Sequence, residues 1–235
     1  MIRVQQLCKT FAGRTVVGDL TFTAADGTIT GLLGANGAGK TTTLRMICGA
    51  LKPAGGAVIV DEVATDPLDR QRRIGALLDD MGIYSRLTVR ENLAYFGKLR
   101  GMSRDALSHR LQEVIAVLGL GAIADRRTAG FSQGERMKTA LARAMLHAPR
   151  NLLLDEPTNG LDVPTIRSLR DVLRRLRDSG VCILFSSHVL EEVRALCDKV
   201  VVIAEGRLVA QGSPAQLCSE TNTSSLEEAF VQLTC

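Results

Sequence analysis

The sequence predicts an α/β fold: a mainly parallel sheet covered by helices, with an antiparallel β subdomain at the N-terminus and a helical subdomain inserted in the middle. Three observations predict it. The apolar run Ile29 to Leu33 leads directly into Gly34-Ala35-Asn36-Gly37-Ala38-Gly39-Lys40-Thr41, so a buried strand feeds a glycine-rich loop and then a helix. Later apolar runs, Leu152 to Leu154, Val181 to Phe185 and Val200 to Ala204, show the unbroken hydrophobicity of parallel strands covered on both faces. Between these two groups, from about residue 79 to 150, apolar positions recur at helical spacing instead.

The elements follow in order. Val4 to Thr10 and Val16 to Thr23 are rich in β-branched residues and are broken by Ala12-Gly13-Arg14, which predicts a hairpin. The glycine-rich loop opens a helix from about Lys40 to Gly49. Pro53-Ala54-Gly55-Gly56 is a loop before a short strand at Val58-Ile59-Val60, and Ile74 to Leu78 is a candidate buried strand. Val89 to Leu99 reads as a helix. Leu107, Leu111, Val114, Ile115 and Leu118 mark a second, capped by Ser103, and Ser132 to His147 a third. The strand at Leu152–Leu154 is followed by an amphipathic helix through Ile166, Leu169, Val172, Leu173 and Leu176, ending near Gly180. The expected organisation is one domain over 1–235, with a core at about 1–78 and 151–235 and the helical subdomain at about 79–150.

The glycine-rich loop carries the first chemistry. Its spacing, Gly-x-x-x-x-Gly-Lys-Thr, is that of a phosphate-binding loop. Glycines let backbone N–H groups crowd around phosphate oxygens without Cβ clashes. Lys40 brings a point charge to the β/γ-phosphates, and the Thr41 hydroxyl suits Mg²⁺. The helix N-terminus adds its partial positive charge. The expected ligand is ATP or GTP, touched by Gly34, Ala35, Asn36, Gly37, Ala38, Gly39, Lys40, Thr41 and Thr42. Downstream, Leu152-Leu153-Leu154 ends in Asp155-Glu156. Beside a phosphate loop, Asp155 suits the metal and Glu156 the attacking water. Ser186-Ser187-His188 ends the next strand, where an imidazole can reach a γ-phosphate. Phe131-Ser132-Gln133-Gly134-Glu135 opens a long helix. Its Ser-x-x-Glu is a capping box, and a helix start with Ser and Gly is also an anion site.

Composition excludes several classes. Basic residues are scattered and the net charge is only +4, which leaves no nucleic-acid footprint. No Trp and 3% aromatics leave no stacking platform for single strands. The apolar runs fall far short of the ~20 residues needed to span a bilayer. The start, Met1-Ile2-Arg3-Val4, lacks a leader pattern, and the six cysteines show no CxxC spacing. The expectation is a reducing, cytoplasmic setting.

The order of these motifs resembles the ATP-binding cassette (ABC) family over nearly the whole chain. Gly34–Thr41 matches its Walker A motif, Leu152–Glu156 its Walker B with the catalytic glutamate, Gly160-Leu161-Asp162 its D-loop and His188 its switch histidine. Phe131–Glu135 is similar to the signature motif, and Phe11 sits where the family stacks an aromatic on adenine. The stretch Ile83 to Leu93 is similar to ATPase subunits of sodium-extrusion and drug-resistance exporters. The resemblance implies a P-loop NTPase core with ATP and Mg²⁺ as cofactors. Lys40, Glu156 and His188 would be catalytic, and Thr41, Asp155 and Asp79 would serve the metal. It also implies two such domains closing head to tail, as a homodimer or with a paralogue, with Ser132, Gln133, Gly134 and Glu135 acting on the partner's nucleotide and Asp162 in the D-loop. The chain would be the motor for a separate transmembrane permease, peripheral on the cytoplasmic face of the cell membrane, and would drive export. Two departures from the family matter. The signature reads Phe-Ser-Gln-Gly-Glu where Leu-Ser-Gly-Gly-Gln is usual, and Asp79 stands where the family has Gln.

Two rival readings fail on residues, and a third stays open to co-purification with a membrane protein. Asp79-Asp80-Met81-Gly82 fits the loose Asp-x-x-Gly of GTPase switches, but no Asn-Lys-x-Asp guanine reader occurs. Gly119-Leu120-Gly121-Ala122-Ile123-Ala124 fits a dinucleotide fingerprint, but follows a helix rather than a strand. A cassette ATPase outside transport, in DNA repair or on the ribosome, usually carries coiled-coil insertions or two fused cassettes, and this chain has neither.

Overall fold

The structure, a computed structural model, describes residues 1–64, 66–78 and 82–234. The chain opens with the hairpin β1 (Ile2–Phe11) and β2 (Arg14–Ala24), then β3 (Ile29–Leu33) and α1 (Lys40–Ile47). β4 (Gly55–Val60), β5 (Val63–Ala64), α2 (Pro67–Arg73) and β6 (Ile74–Leu77) follow. Three helices come next: α3 (Val89–Leu99), α4 (Arg104–Val117) and α5 (Gln133–Met145). The remainder alternates as β7 (Asn151–Asp155), α6 (Val163–Asp178), β8 (Cys182–Ser187), α7 (Leu190–Leu196), β9 (Lys199–Ala204) and β10 (Arg207–Gly212), before α8 (Pro214–Glu220) and α9 (Leu226–Thr234).

Two sheets form. One is antiparallel, ordered β2-β1-β4-β5; the other runs β10-β9-β3-β8-β7-β6. The second is parallel from β9 to β6, with β10 antiparallel at its edge. Its central strands explain their unbroken apolar runs. Ile183 and Phe185 of β8 enter the core shared with the helices, while Cys182 and Leu184 enter a second core against the antiparallel sheet. Leu152 and Leu154 of β7 face the first core, and Leu153 the second. Both faces of the strand are dry, so alternation disappears.

Helix ends follow local chemistry. Thr88 and Glu91 form a capping box at α3, and Ser103 Oγ accepts from the Ala106 N–H at α4. α1 ends at Ile47 rather than Gly49, because Gly49 takes φ +79° as the residue that stops the turn. The short helices α2, α7, α8 and α9 were not expected from periodicity. Asp79 lies outside the described residues, as does Cys235.

Candidate functional site

Every group expected to meet the phosphates comes from the ends of parallel strands. β3 ends at Leu33, and the loop 34–39 turns into α1. Gly34 has no room for a side chain: a Cβ would lie 2.5 Å from the Ile203 carbonyl oxygen. Gly39, the N-cap of α1, takes φ +99°, and a Cβ there would meet the Val16 carbonyl oxygen at 2.8 Å. With no side-chain cap from Gly39, the first N–H groups of α1 keep their donor capacity for an anion. Lys40 is buried, and its Nζ donates to the carbonyl oxygens of Gly34 at 2.8 Å and Ala35 at 3.2 Å. The same ammonium stands 3.3 Å from Glu156 Oε1.

The carboxylates sit where β7 ends. β7 and β8 are in parallel register with Asp155 beside Ser186. The Ser186 hydroxyl donates to Asp155 Oδ1 and accepts from the Glu156 N–H at 3.0 Å. Asp155 is 3% exposed, and its Oδ2 is buried without a hydrogen-bond partner among the described residues. A buried carboxylate oxygen left free in this way suits a cation or its water. Glu156 leaves the strand with φ +45°, in the left-handed region that non-glycine residues avoid. That bend turns its side chain toward Lys40 and His188. The Glu156 Oε2 to His188 Nδ1 distance is 2.7 Å. A carboxylate only accepts, so against it the imidazole carries its proton on Nδ1.

Lys40, Glu156 and His188 line one cleft of about 300 Å³ together with Gly37, Thr41, Asn159 and, from the hairpin, Val16. Phe11 is apart from it. It lies at the end of β1, 46% exposed, with Lys9 Nζ 5.1 Å from its ring centre. A smaller cleft of about 230 Å³ lies behind the carboxylates, lined by Asp155, Glu156, Gln133 and Asn159.

The Ser132–Glu135 group opens α5. Ser132 is its N-cap, with the full capping box: Glu135 N–H to Ser132 Oγ at 3.2 Å, and Ser132 N–H to Glu135 Oε2 at 2.8 Å. Arg126 reaches the other Glu135 oxygen at 3.5 Å and lies over the Phe131 ring. The carboxylate at this unusual position is therefore satisfied within the chain. Gln133, the other departure, donates from Nε2 to the Asn159 carbonyl at 2.7 Å. Gly134 packs on Thr165 of α6. Asp162 is the N-cap of α6 and accepts from the Thr165 N–H at 3.0 Å; the Thr165 side chain first and its backbone N–H second hold the carboxyl below the usual carboxylate range. Sequence reasoning gave no role to Ser186. Ser186 was reachable only by knowing that β7 and β8 are neighbours in register.

Of the described cysteines, Cys48, Cys182 and Cys197 are buried; burial raises all three thiols, that of Cys182 up to about 12 and that of Cys197 higher still. Such thiols act as small apolar side chains. No helix among the described residues is long and apolar enough to cross a membrane.

Comparison with known proteins bears on this arrangement. The profile of the ABC transporter family matches residues 17–159. The ABC transporter ATP-binding protein NatA of Bacillus subtilis is 40% identical over 218 residues, covering 92% of this chain and 89% of NatA. The bacitracin transport ATP-binding protein BcrA of Bacillus licheniformis is 36% identical over 214 residues, covering 90% of this chain and 69% of BcrA. A solved ATP binding subunit of an ABC transporter superposes with a TM-score of 0.90 at 28% identity, covering 99% of both chains.

Proposed function

The chain belongs to the ABC transporter family, as an ATPase subunit that binds ATP, and from that premise we propose that it drives export through a separate transmembrane permease. The single observation that carries the reading is the meeting of Lys40, Glu156 and His188 within 3.3 Å and 2.7 Å at one cleft beside the glycine-rich loop. BcrA, a bacitracin transport protein by name, supports a role in transport.

In this reading the N–H groups of 34–42 wrap the phosphates, and Lys40 pairs with the β/γ oxygens. Glu156 orients or deprotonates the attacking water, and His188 steadies Glu156 through Nδ1–H and can turn toward the γ-phosphate. Positioned bases of this kind contribute about 10²–10⁴-fold. Thr41 and Asp155, with Asp79, would hold Mg²⁺; the unpartnered Asp155 Oδ2 and the Thr41 hydroxyl are oxygen donors of the right kind. The metal, when bound, would neutralise charge on the phosphate oxygens.

We read the chain as one domain, with a core of about 1–78 and 151–235 and a helical subdomain of about 79–150. The helical subdomain would face the permease, with Tyr84, Tyr95 and Leu99 exposed on it. Ser132 and Gly134, at the open end of α5, would act on the nucleotide of a second cassette, a copy or a paralogue. Phe11 would stack on the adenine. The site of action would be the cytoplasmic face of the cell membrane.

The test separates binding from turnover. Glu156→Gln is expected to bind ATP, collect as a dimer and lose turnover about 10²–10⁴-fold. Lys40→Ala is expected to lose the nucleotide. Near-normal phosphate release by Glu156→Gln would overturn the assignment. Co-purification of a membrane protein with the Glu156→Gln dimer would support transport.

A further inference from the structure

Gln133 is the first residue of α5, and it is exposed. A glutamine in such a place ordinarily points to water, because holding its long side chain in one rotamer costs entropy. Here it turns back onto its own chain. Nε2 donates to the Asn159 carbonyl at 2.7 Å. The amide also lies against Gly160: a Cβ there would come 2.6 Å from Gln133 Nε2 and 2.7 Å from Oε1. Gly160 takes φ +70°, so the turn has a glycine both where the backbone demands one and where the amide leaves no room for a side chain. One step along, a Cβ on Gly134 would come 3.1 Å from Thr165 Cγ2 of α6. The start of α5 therefore rests on the segment 159–165 at two successive residues.

That segment continues directly from Glu156. Asn159 donates its N–H to the Glu156 carbonyl at 3.1 Å, and Leu161 donates to the Thr158 carbonyl at 3.1 Å. Asn159 stands between the two clefts. It lines the one that holds Lys40 and His188, and also the smaller one behind the carboxylates, of which Gln133 is a wall. The bonds form one line across the site. From β8, the Ser186 hydroxyl holds the Glu156 N–H; the Asn159 N–H holds the Glu156 carbonyl; from α5, Gln133 holds the Asn159 carbonyl. Gln133 anchors the far end of that line. Glu156 needs the restraint. Its φ of +45° persists only where the surroundings over-determine it, and its carboxyl must stay within reach of Lys40 and His188.

Building on the ATPase reading above, we propose that Gln133 is a positioning residue for hydrolysis in its own chain: through the Asn159 carbonyl it fixes the turn after Glu156 against α5, and so keeps the Glu156 carboxyl aimed. It touches no reacting atom. The glutamine that stands for the usual glycine of the signature thus serves the chain's own carboxylate, while Ser132 and Gly134 beside it are left for a second cassette.

ATP hydrolysis by the full chain tests this, with initial rates read against ATP concentration and thermal unfolding followed in parallel. Gln133→Met keeps the length and loses the donor; Gln133→Glu keeps the shape and only accepts. Each is expected to lower kcat about three- to tenfold, the loss of one hydrogen bond's worth of placement. Half-saturating ATP is expected to stay within about twofold. The loss is expected to run through Glu156: when Gln133→Met is added to Glu156→Gln, single-turnover hydrolysis is expected to change by less than about twofold. The ATP concentration that collects the Glu156→Gln dimer is expected to hold within about twofold as well. Unchanged kcat in either single variant, or the full Gln133→Met loss persisting in the Glu156→Gln background, would overturn the proposal. So would a dimer that needs several-fold more ATP, which would put Gln133 at the partner's nucleotide instead. If Gln133→Met does not fold, Gln133→Glu decides by the same criteria. An unsubstituted chain without ATP turnover refutes the ATPase reading and this proposal together; normal turnover with unaffected variants refutes this proposal alone.

Discussion

The stability of the chain carries a pH signature that can be traced to His147. This residue sits just past α5, where burial lowers its imidazole from 6.5 to about 4, helped by the Arg100 and Arg110 guanidinium groups; both ring nitrogens are buried without a hydrogen-bond partner among the described residues. In the unfolded chain the imidazole titrates at its ordinary value; in the folded chain it stays neutral well below that. The unfolded state therefore binds the proton first, so stability contributed by neutral His147 is complete above about pH 6.5 and is lost as pH falls toward 4. At about pH 5 the unfolded imidazole is almost wholly protonated and the folded one is about one-tenth protonated, a difference of about 2 kcal/mol. His147→Gln removes the titration and keeps a polar side chain of similar reach. Urea unfolding at about pH 7.5 and about pH 5 measures both chains. The unsubstituted chain is expected to lose about 2 kcal/mol more than His147→Gln between the two pH values. Parallel losses, within about 0.5 kcal/mol, would refute the burial argument, because every other titrating group is common to both chains.

Two further outcomes follow from the departures at Asp79 and Gln133. Asp79→Ala is expected to raise the Mg²⁺ concentration needed for half-maximal ATP hydrolysis, with Asp79→Gln partly restoring it; an unchanged Mg²⁺ dependence at equal ATP affinity would remove Asp79 from the metal site. Gln133→Ala cuts the 2.7 Å bond to the Asn159 carbonyl and is expected to lower stability by about 1 kcal/mol in urea unfolding, with no loss if that bond is not formed in solution.

The legible parts of the molecule were those where one local sequence feature decides the structure. The glycine-rich loop could be placed because its glycines are obligatory: Gly34 and Gly39 have backbone oxygens where a Cβ would go. The central strands could be placed because their burial on both faces erases alternation. The capping box at Ser132 is a pair of local bonds between residues three apart, and its sequence pattern is the bond itself. What periodicity could not show were the short helices. α2 and α7 have seven residues each, too few for a 3.6-residue repeat to stand out from chance. Nor could it show the partners of the site residues. Ser186 bonds Asp155 across 31 positions of sequence, and Gln133 reaches the Asn159 carbonyl across 26. Such contacts depend on which strands and helices become neighbours, and no local pattern states that.

The Glu135 departure shows how a local and a distant requirement can be met by the same residue. A glutamine at this position could also accept from the Ser132 N–H, so the capping box alone does not require a charge. The charge matters at the other oxygen, where Arg126 comes within 3.5 Å. Arg126 also lies over the ring of Phe131, which fills the place where the family has leucine. Glutamate and the aromatic thus bind the same guanidinium from two sides, so the substitutions at 131 and 135 serve one contact. The acid also sits in the first turn of α5, where the helix dipole favours negative charge. The remaining polar surface of the motif, the Ser132 hydroxyl and the N–H groups around Gly134, stays free of that charge pair at the open end of the helix. A phosphate approaching from a second cassette would meet donors there, with the Glu135 carboxylate already neutralised by Arg126.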